Sequence, residues 1–235
     1  MRYNLESMDL IPSSEAAALL QVHPSRVRAL LSANELPGEK IAGRWLVDRR
    51  AVMRRAQSSR PAGRPLSPRN AWQLLFLASG RVVDGLSPKV RWRLNRALRE
   101  EGLSGLQAGL VRRGAAQQFN AHPGELAYIA NDKRVVLSGI SAAPSCGLEL
   151  VPGNEIEGYV RSADLAAMVK KHALHPAEGA GNVLLHIVPD EAWLFERRDR
   201  YAPPAAVAFD LIESPDIRSA RAGKKLLRQQ ERAAR

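Results

Sequence analysis

Cysteine is almost absent from this sequence, which limits both its redox chemistry and its metal chemistry. Cys146 is the single cysteine in 235 residues. One thiol excludes an internal disulfide framework and a cysteine-rich zinc site, and it is typical of a reducing compartment. We interpret Cys146 as a small buried or half-buried side chain.

Long apolar runs and the motifs of common enzyme classes are also missing. No apolar run approaches the roughly 20 residues that span a bilayer, and Glu6 and Asp9 stand where a signal peptide would be basic and then apolar. The chain has no P-loop, no His-Glu-x-x-His motif and no Gly-x-Ser-x-Gly motif. We therefore expect a cytoplasmic protein that is not an enzyme, with no membrane partner, no cofactor, no catalytic residues and no metal site.

Acidic residues are scarce in the first half of the chain. The formal net charge is +11 and the sequence pI is about 10.5. Residues 1–115 hold 20 Lys or Arg against 9 Asp or Glu, residues 116–216 hold 8 against 14, and residues 217–235 hold 7 against 1. A basic front half beside a mildly acidic body is typical of a nucleic-acid-binding protein that carries a further module. The alternative, a general preference for Arg over Lys, does not explain the asymmetry.

The pattern of apolar residues predicts an α+β protein with a helical N-terminal half. We divide the chain into a DNA-binding unit at residues 1–57, a Pro/Gly-rich basic linker at 58–68, a basic helical segment at 69–115 and an α+β domain at 116–235. Four serines are expected to cap helices, in addition to Ser13 or Ser14 at the first helix: Ser67, Ser87, Ser162 and Ser214. Strands are expected within residues 133–139, 155–161 and 182–189.

Residues 13–36, "SSEAAALLQVHPSRVRALLSANEL", have the spacing of two short helices separated by a turn. Pro24 suits the first position of the second helix, and Val27, Leu30 and Leu31 repeat at helical spacing. Two such helices that share a small apolar core form a helix-turn-helix. The residues on the outward face of the second helix are the candidates to contact DNA: Ser25, Arg26, Arg28, Ala29 and Ser32.

The following stretch, "EKIAGRWLVDRRAV", predicts a hairpin beside the helix pair. Lys40 and Arg44 are expected to contact phosphates, and Trp45 is expected to pack the hairpin onto the helices. Arg49 and Arg50 begin a further helix and extend the positive surface.

This arrangement resembles the winged helix-turn-helix of the excisionase and MerR-like families, which bind DNA. The residues that carry the resemblance include Glu15, Ala16, Ala17, Leu19, Leu20, Val22, Gly43, Arg44, Trp45 and Val47. The positions around Arg28 and Ala29 lack the aromatic residue that members often have. The alternative is a small helical domain that contacts protein.

Two weaker signals accompany this unit. Arg64 and Pro65 in "AGRPLSP" are similar to the core of AT-hook peptides, so we take Arg64 as a candidate minor-groove contact. A single Gly-Arg-Pro is also common in linkers that bind nothing. The basic helix at residues 87–100 either contacts the DNA backbone or is a solvated face, and the sequence leaves both open.

The second half resembles antitoxins of the AbiE-type (type IV) toxin–antitoxin systems. The resemblance depends on the segments 135–139, 158–160, 188–190 and 205–216. It implies a repressor of its own operon that binds operator repeats in double-stranded DNA. In one form of this expectation, the repressor binds DNA as a homodimer. It also implies a partner toxin of the nucleotidyltransferase type. The alternatives are an excisionase-type architectural protein that bends DNA, and a protein-only module that neutralises a toxin.

Two groups of residues have a chemical interpretation that we rank below a structural one. Glu155 and Glu157 follow a Gly/Ser loop as in a nucleotidyltransferase, but the order of the elements is reversed and the acids fall in a strand. His172 and His175 are spaced to share a metal, but a solvated helix end explains them better because no third ligand is nearby in sequence.

Overall fold

The chain forms two compact units, Met1–Arg60 and Pro61–Arg235. The computed structural model describes residues 10–20, 22–32, 36–41, 43–49, 51–52, 65–177 and 181–233. Among these residues, no helix combines the length and the apolar character needed to cross a bilayer. Each unit is described by itself below.

The first unit is a helix pair followed by a hairpin, as the sequence predicts. Its elements are β1 (Leu10–Pro12), α1 (Ser13–Leu19), α2 (Pro24–Ser32), β2 (Gly38–Ile41) and β3 (Arg44–Asp48). The strands form an antiparallel sheet in the order β1-β3-β2. The hairpin β2–β3, which we call the wing, pairs Ile41 with Arg44 across a two-residue turn in which Gly43 has a φ of +80°.

A small apolar core holds this unit together. Ala16 and Val27 are fully buried where α1 and α2 meet, and Leu30 and Leu31 are buried one turn further along α2. Trp45 packs against this cluster, which confirms its predicted role as the anchor of the wing. The predicted serine cap of α1 is wrong. The helix begins at Ser13 itself and Pro12 holds the cap position, so no hydroxyl lies before the first turn to accept a hydrogen bond.

The second unit alternates helices and strands. Its helices are α3 (Pro68–Ala78), α4 (Pro88–Leu106), α5 (Leu126–Ala130), α6 (Gly139–Ala142), α7 (Leu165–Lys171), α8 (Pro204–Glu213) and α9 (Ile217–Ala233). Its strands are β4 (Ala115–Asn120), β5 (Val135–Leu137), β6 (Ile156–Arg161), β7 (His175–Pro176) and β8 (Val183–Val188). The three strands expected from sequence are present, whereas β4 and β7 were not expected.

These strands form one mixed sheet in the order β5-β6-β8-β4-β7. β6 and β8 pair in parallel, with α7 in the connection between them, and the other neighbours pair antiparallel. One core includes residues from this sheet and from α3, α4, α8 and α9. The basic segment at 69–115 therefore shares its core with the sheet, and the fold is α+β as expected.

Two of the predicted caps in this unit are confirmed and two are wrong. Ser67 and Ser87 accept the backbone N–H groups of residues 70 and 90 at 3.3 and 3.4 Å, each with proline next in the chain. Ser162 instead lies inside a 3₁₀ turn, and its side chain does not cap the following helix. Ser214 precedes α9 by three residues, and Asp216 accepts the N–H of Ser219 in its place at 2.8 Å.

Candidate nucleic-acid interface

Helix α2 carries half of the predicted DNA contacts. Successive residues of an α-helix point about 100° apart, so the spacing places Ser25, Arg28, Ala29 and Ser32 in one band opposite buried Val27, Leu30 and Leu31. Arg26 lies at the flank of this band. All five predicted residues on α2 are exposed.

The two arginines of α2 are available for a ligand. Within the described residues, neither Arg26 nor Arg28 forms an ion pair or a side-chain hydrogen bond. Ser25 is engaged, because its hydroxyl lies 2.8 Å from Nδ1 of His23, and that same nitrogen accepts the backbone N–H of Ser25 at 3.3 Å. His23 thus stabilises the first turn of α2, a role that the sequence did not predict.

The wing separates its two predicted contacts. Lys40 pairs with Trp45 and Ile41 pairs with Arg44 in the antiparallel ladder. Consecutive pairs of a ladder point to opposite faces, so Lys40 and Arg44 do not share a face. Both are exposed, and Lys40 is on the side of the hairpin that carries the core-packing Trp45.

Of the three remaining predicted contacts, the structure describes one. Arg49 is exposed, but its guanidinium lies 3.5 Å from the carboxylate of Glu15 on α1, so part of its charge is already compensated. Arg49, Ala51 and Val52 are helical after the wing. Arg50 and Arg64 lie outside the described residues.

The comparison with protein families decides the class of the first unit. Residues 13–60 match the family model of a helix-turn-helix domain. No curated protein and no solved structure matches the chain significantly. The matched segment contains both helices and the wing, and together with the exposed basic face of α2 it supports DNA binding.

A second group of polar residues lies in the core of the second unit, and sequence reasoning missed it. Asp210 of α8 accepts hydrogen bonds from Arg113 at 2.8 Å, from the hydroxyl of Tyr159 at 2.7 Å and from Ser138. Glu157 lies 3.0 Å from Nε2 of His186 on the neighbouring strand. We call these six residues the buried network.

Tight local geometry positions Glu157 in this network. Gly139 has a φ of +50°, and a Cβ placed there would lie 1.7 Å from Oε2 of Glu157. The N–H of Ile140 donates to the same oxygen at 3.4 Å. Glycine at 139 therefore serves both the backbone conformation and the close approach of the carboxylate.

The charges of the buried network compensate one another. Burial by itself would raise the pKa of Asp210, but the charges of Arg113 and His186 outweigh it and the pKa is lowered. Burial by itself would lower the pKa of His186, but Asp210 and Glu157 outweigh it and raise that pKa. Burial raises the pKa of Tyr159 well above its usual value, so its hydroxyl stays a donor.

Three members of the buried network have the spacing of metal ligands. Glu157, His186 and Asp210 bring one ligand atom each within 4.8 Å of one another. Arg113 lies 2.8 Å from Asp210, so it would repel an added cation, and His186 already pairs with Glu157. The electrostatics therefore favour an internally satisfied network over a metal centre.

The predicted solvated position of His172 is wrong. The ring of His172 is 2% exposed and lies 3.0 Å from Glu125 and 3.1 Å from Asp132. A hydrogen bond from Arg134 is the largest effect that lowers the pKa of Asp132, so this carboxylate stays charged beside the ring. His175 is exposed in β7, and Cys146 is half-buried as expected.

Proposed function

We propose that the protein is a sequence-specific repressor of its own operon and the antitoxin of a toxin–antitoxin pair whose toxin is nucleotidyltransferase-like. The observation that carries the DNA-binding part is the exposed face of α2. Its two arginines form no ion pair with the described residues, and it lies inside a segment that matches a helix-turn-helix domain. The operator would consist of repeats in the promoter, bound by two copies of the chain.

The side chains on α2 suit the major groove. Ala29 and Ser32 are small, so the helix can approach the base edges closely. Arg28 lies at the edge of the same band and can bond both acceptors of a guanine, a contact that contributes about 1–3 kcal/mol of discrimination. Arg44 on the wing would bind a phosphate, which adds affinity without sequence preference.

The antitoxin part of the proposal is supported by the positions that the segments of the AbiE-type resemblance take in the folded second unit. The segments 135–139, 158–160 and 205–216 are far apart in the sequence, yet Ser138, Tyr159 and Asp210 meet in the buried network. A resemblance carried by residues that build one core is better evidence of a shared domain than scattered short matches would be.

A mobility-shift titration on the DNA upstream of the gene tests the repressor role. We expect Arg28→Ala to weaken binding and to reduce the preference for the operator over unrelated duplex. We expect Arg44→Ala to weaken binding to both by the same factor, with a salt dependence less steep by about 0.9, the contribution of one phosphate contact. The control is Lys133→Ala, which removes an exposed lysine of the second unit. Binding that neither Arg28→Ala nor Arg44→Ala affects would refute the assignment of the site.

Expression of the neighbouring gene tests the antitoxin role separately. If expression of that gene arrests growth, co-expression of this protein should restore growth. A frameshifted, inactive copy of the gene for this protein should not. Growth arrest that persists contradicts the antitoxin role. An integrase in that position, together with DNA bending at an attachment region, would support the excisionase-type alternative instead.

A further inference from the structure

The last helix, α9, carries an unbroken row of positive charge. At about 100° per residue, the cations of α9 fall within about a third of the helix circumference: Arg218, Arg221, Lys224, Lys225, Arg228 and Arg232. All six are exposed. None of them forms an ion pair or a side-chain hydrogen bond within the described residues. We call them the α9 row.

The single acidic residue of the helix lies at the edge of this row, but its carboxylate is bonded to α4. Glu231 accepts both the backbone N–H and the hydroxyl of Ser104, at 2.8 Å each, and so caps the last turn of α4 after its kink at Gly102. Its charge is therefore engaged on the side of α9 that faces α4. Among the described residues, the one carboxylate that interacts with the row is that of Asp216 at the start of the helix, which lies near Arg218 and leaves the other five cations uncompensated.

The opposite face of α9 is fixed to the body of the unit. Leu226 and Leu227 are 3% and 5% exposed. At Gly223 the helix approaches α8 so closely that a Cβ would lie 2.7 Å from the carbonyl oxygen of Ala208. Since the apolar face is already buried in the protein core, α9 cannot insert into a membrane surface as a free amphipathic helix does.

The spacing of the row fits a polyanion with regularly repeated charges. Five of the cations follow each other at intervals of three or four residues, which is about 4.5–6 Å along the axis. They extend over about 21 Å at a rise of 1.5 Å per residue. One strand of duplex DNA carries a phosphate about every 3.4 Å along its axis, whereas protein surfaces usually mix charges of both signs.

We propose that the α9 row is a second nucleic-acid surface that binds the phosphodiester backbone and does not distinguish bases. Lysine and arginine on a rigid helix supply donors for phosphate oxygens. The ligand that these charges suit is duplex DNA, and RNA is the alternative that the test distinguishes. The inference depends neither on base recognition by α2 nor on the antitoxin role.

The test compares two full-length triple variants that each remove three charges. The first is Arg221→Gln, Lys225→Gln and Arg228→Gln in the α9 row. The control is Arg112→Gln, Lys133→Gln and Lys170→Gln, three exposed cations of the same unit that form no ion pair among the described residues. Each triple is made in the wild type and in the Arg28→Ala, Arg44→Ala background. Fluorescence anisotropy measures binding to a duplex from the DNA upstream of the gene, a random-sequence duplex, an RNA hairpin and polyglutamate.

We expect the α9 triple to weaken binding to the duplex in both backgrounds. The slope of log affinity against log salt should become less steep by about 2.7, since three phosphate contacts are lost, while the preference for the operator stays unchanged. The control triple should keep the wild-type slope. A larger effect on the duplex than on the hairpin supports duplex DNA as the ligand, and a larger effect on the hairpin would overturn that assignment.

Three results would overturn the inference. The first is an equal slope of log affinity against log salt for the two triples. The second is wild-type affinity of the α9 triple for the duplex. The third is binding of polyglutamate that depends on α9 in the same way as binding of the nucleic acids. If the operator preference is absent in the wild type, the proposed repressor role fails, but the comparison on random duplex still decides the role of α9.

Discussion

At the scale of single residues, the carboxylate of Asp210 is the main hydrogen-bond acceptor of the buried network. Its side chain is completely buried, and so are the donors that surround it on Arg113 and Tyr159. A buried carboxylate is costly unless hydrogen bonds satisfy it. Here Arg113, Ser138 and Tyr159, from three separate segments, provide those bonds, so Asp210 ties α8 to the sheet and to the chain before β4.

We expect Asp210→Asn to destabilise the second unit by about 3–5 kcal/mol, because the buried guanidinium of Arg113 would keep only the partly exposed Glu213 as a charged partner. An amide can place its oxygen toward Arg113 and its NH2 group toward the hydroxyl of Ser138, which can turn to accept it, so the cost comes mainly from the lost negative charge beside Arg113 and His186. Urea denaturation followed by circular dichroism measures the change.

The matched control is Glu213→Gln, which removes the other carboxylate that binds Arg113. Its side chain is 43% exposed, so solvent screens it and the loss should stay under about 1 kcal/mol. Equal destabilisation by the two substitutions would mean that burial does not set the strength of this pair.

At the scale of elements, local sequence predicts helix ends only where no competing group is present. The two Ser-Pro starts at Ser67 and Ser87 are confirmed because proline follows directly and the hydroxyl reaches the third N–H. At α9 the same dipeptide begins at Ser214, but Asp216 is closer to the free N–H groups and carries a charge, so the helix begins later.

The close packing of α9 on α8 gives a prediction for Gly223→Ala. The added methyl group would lie 2.7 Å from the carbonyl oxygen of Ala208 and 2.8 Å from the backbone nitrogen of Ile212, neither of which can move freely. We expect a net loss of about 1–3 kcal/mol, despite the higher helix propensity of alanine. Thermal unfolding measures it.

Gly153→Ala is the control, because an added methyl group there meets no atom within 4 Å. Its melting temperature should stay near that of the wild type. An unchanged melting temperature for Gly223→Ala would show that the two helices can separate without cost.

At the scale of the whole molecule, the described residues form two separate hydrophobic clusters, one in each unit. The cluster of the first unit includes Val27, Leu30 and Val47, and the cluster of the second unit includes Trp72 and Phe209. The first cluster is far smaller, and small domains bury a lower fraction of their surface. The first unit should therefore be the less stable one.

We expect Leu30→Ala to destabilise the first unit by about 2–5 kcal/mol, the usual cost of a cavity in a packed core, without affecting the second. Hydrogen exchange should accelerate in peptides from α2 and remain unchanged in peptides from α3. The counterpart Leu74→Ala, in a residue that is also buried, should give the reverse pattern. Faster exchange of both units in either variant would contradict independent cores.

Sequence alone determined the features that depend on neighbouring residues. The helix pair, the wing and the two Ser-Pro helix starts follow from periodicity, proline and glycine within windows of about ten to twenty residues. The exposed face of α2 follows as well, since the spacing of Val27, Leu30 and Leu31 fixes which side is buried. The basic excess at the C-terminus was equally visible.

Only the tertiary structure decided the features that depend on residues distant in the chain. The strand pairing placed Lys40 and Arg44 on opposite faces of the wing, and packing buried His172 between two carboxylates. The buried network joins Arg113 to Asp210 across 97 positions. No local pattern marks such pairs, because the low dielectric constant that makes their charges matter exists only after the chain has folded around them.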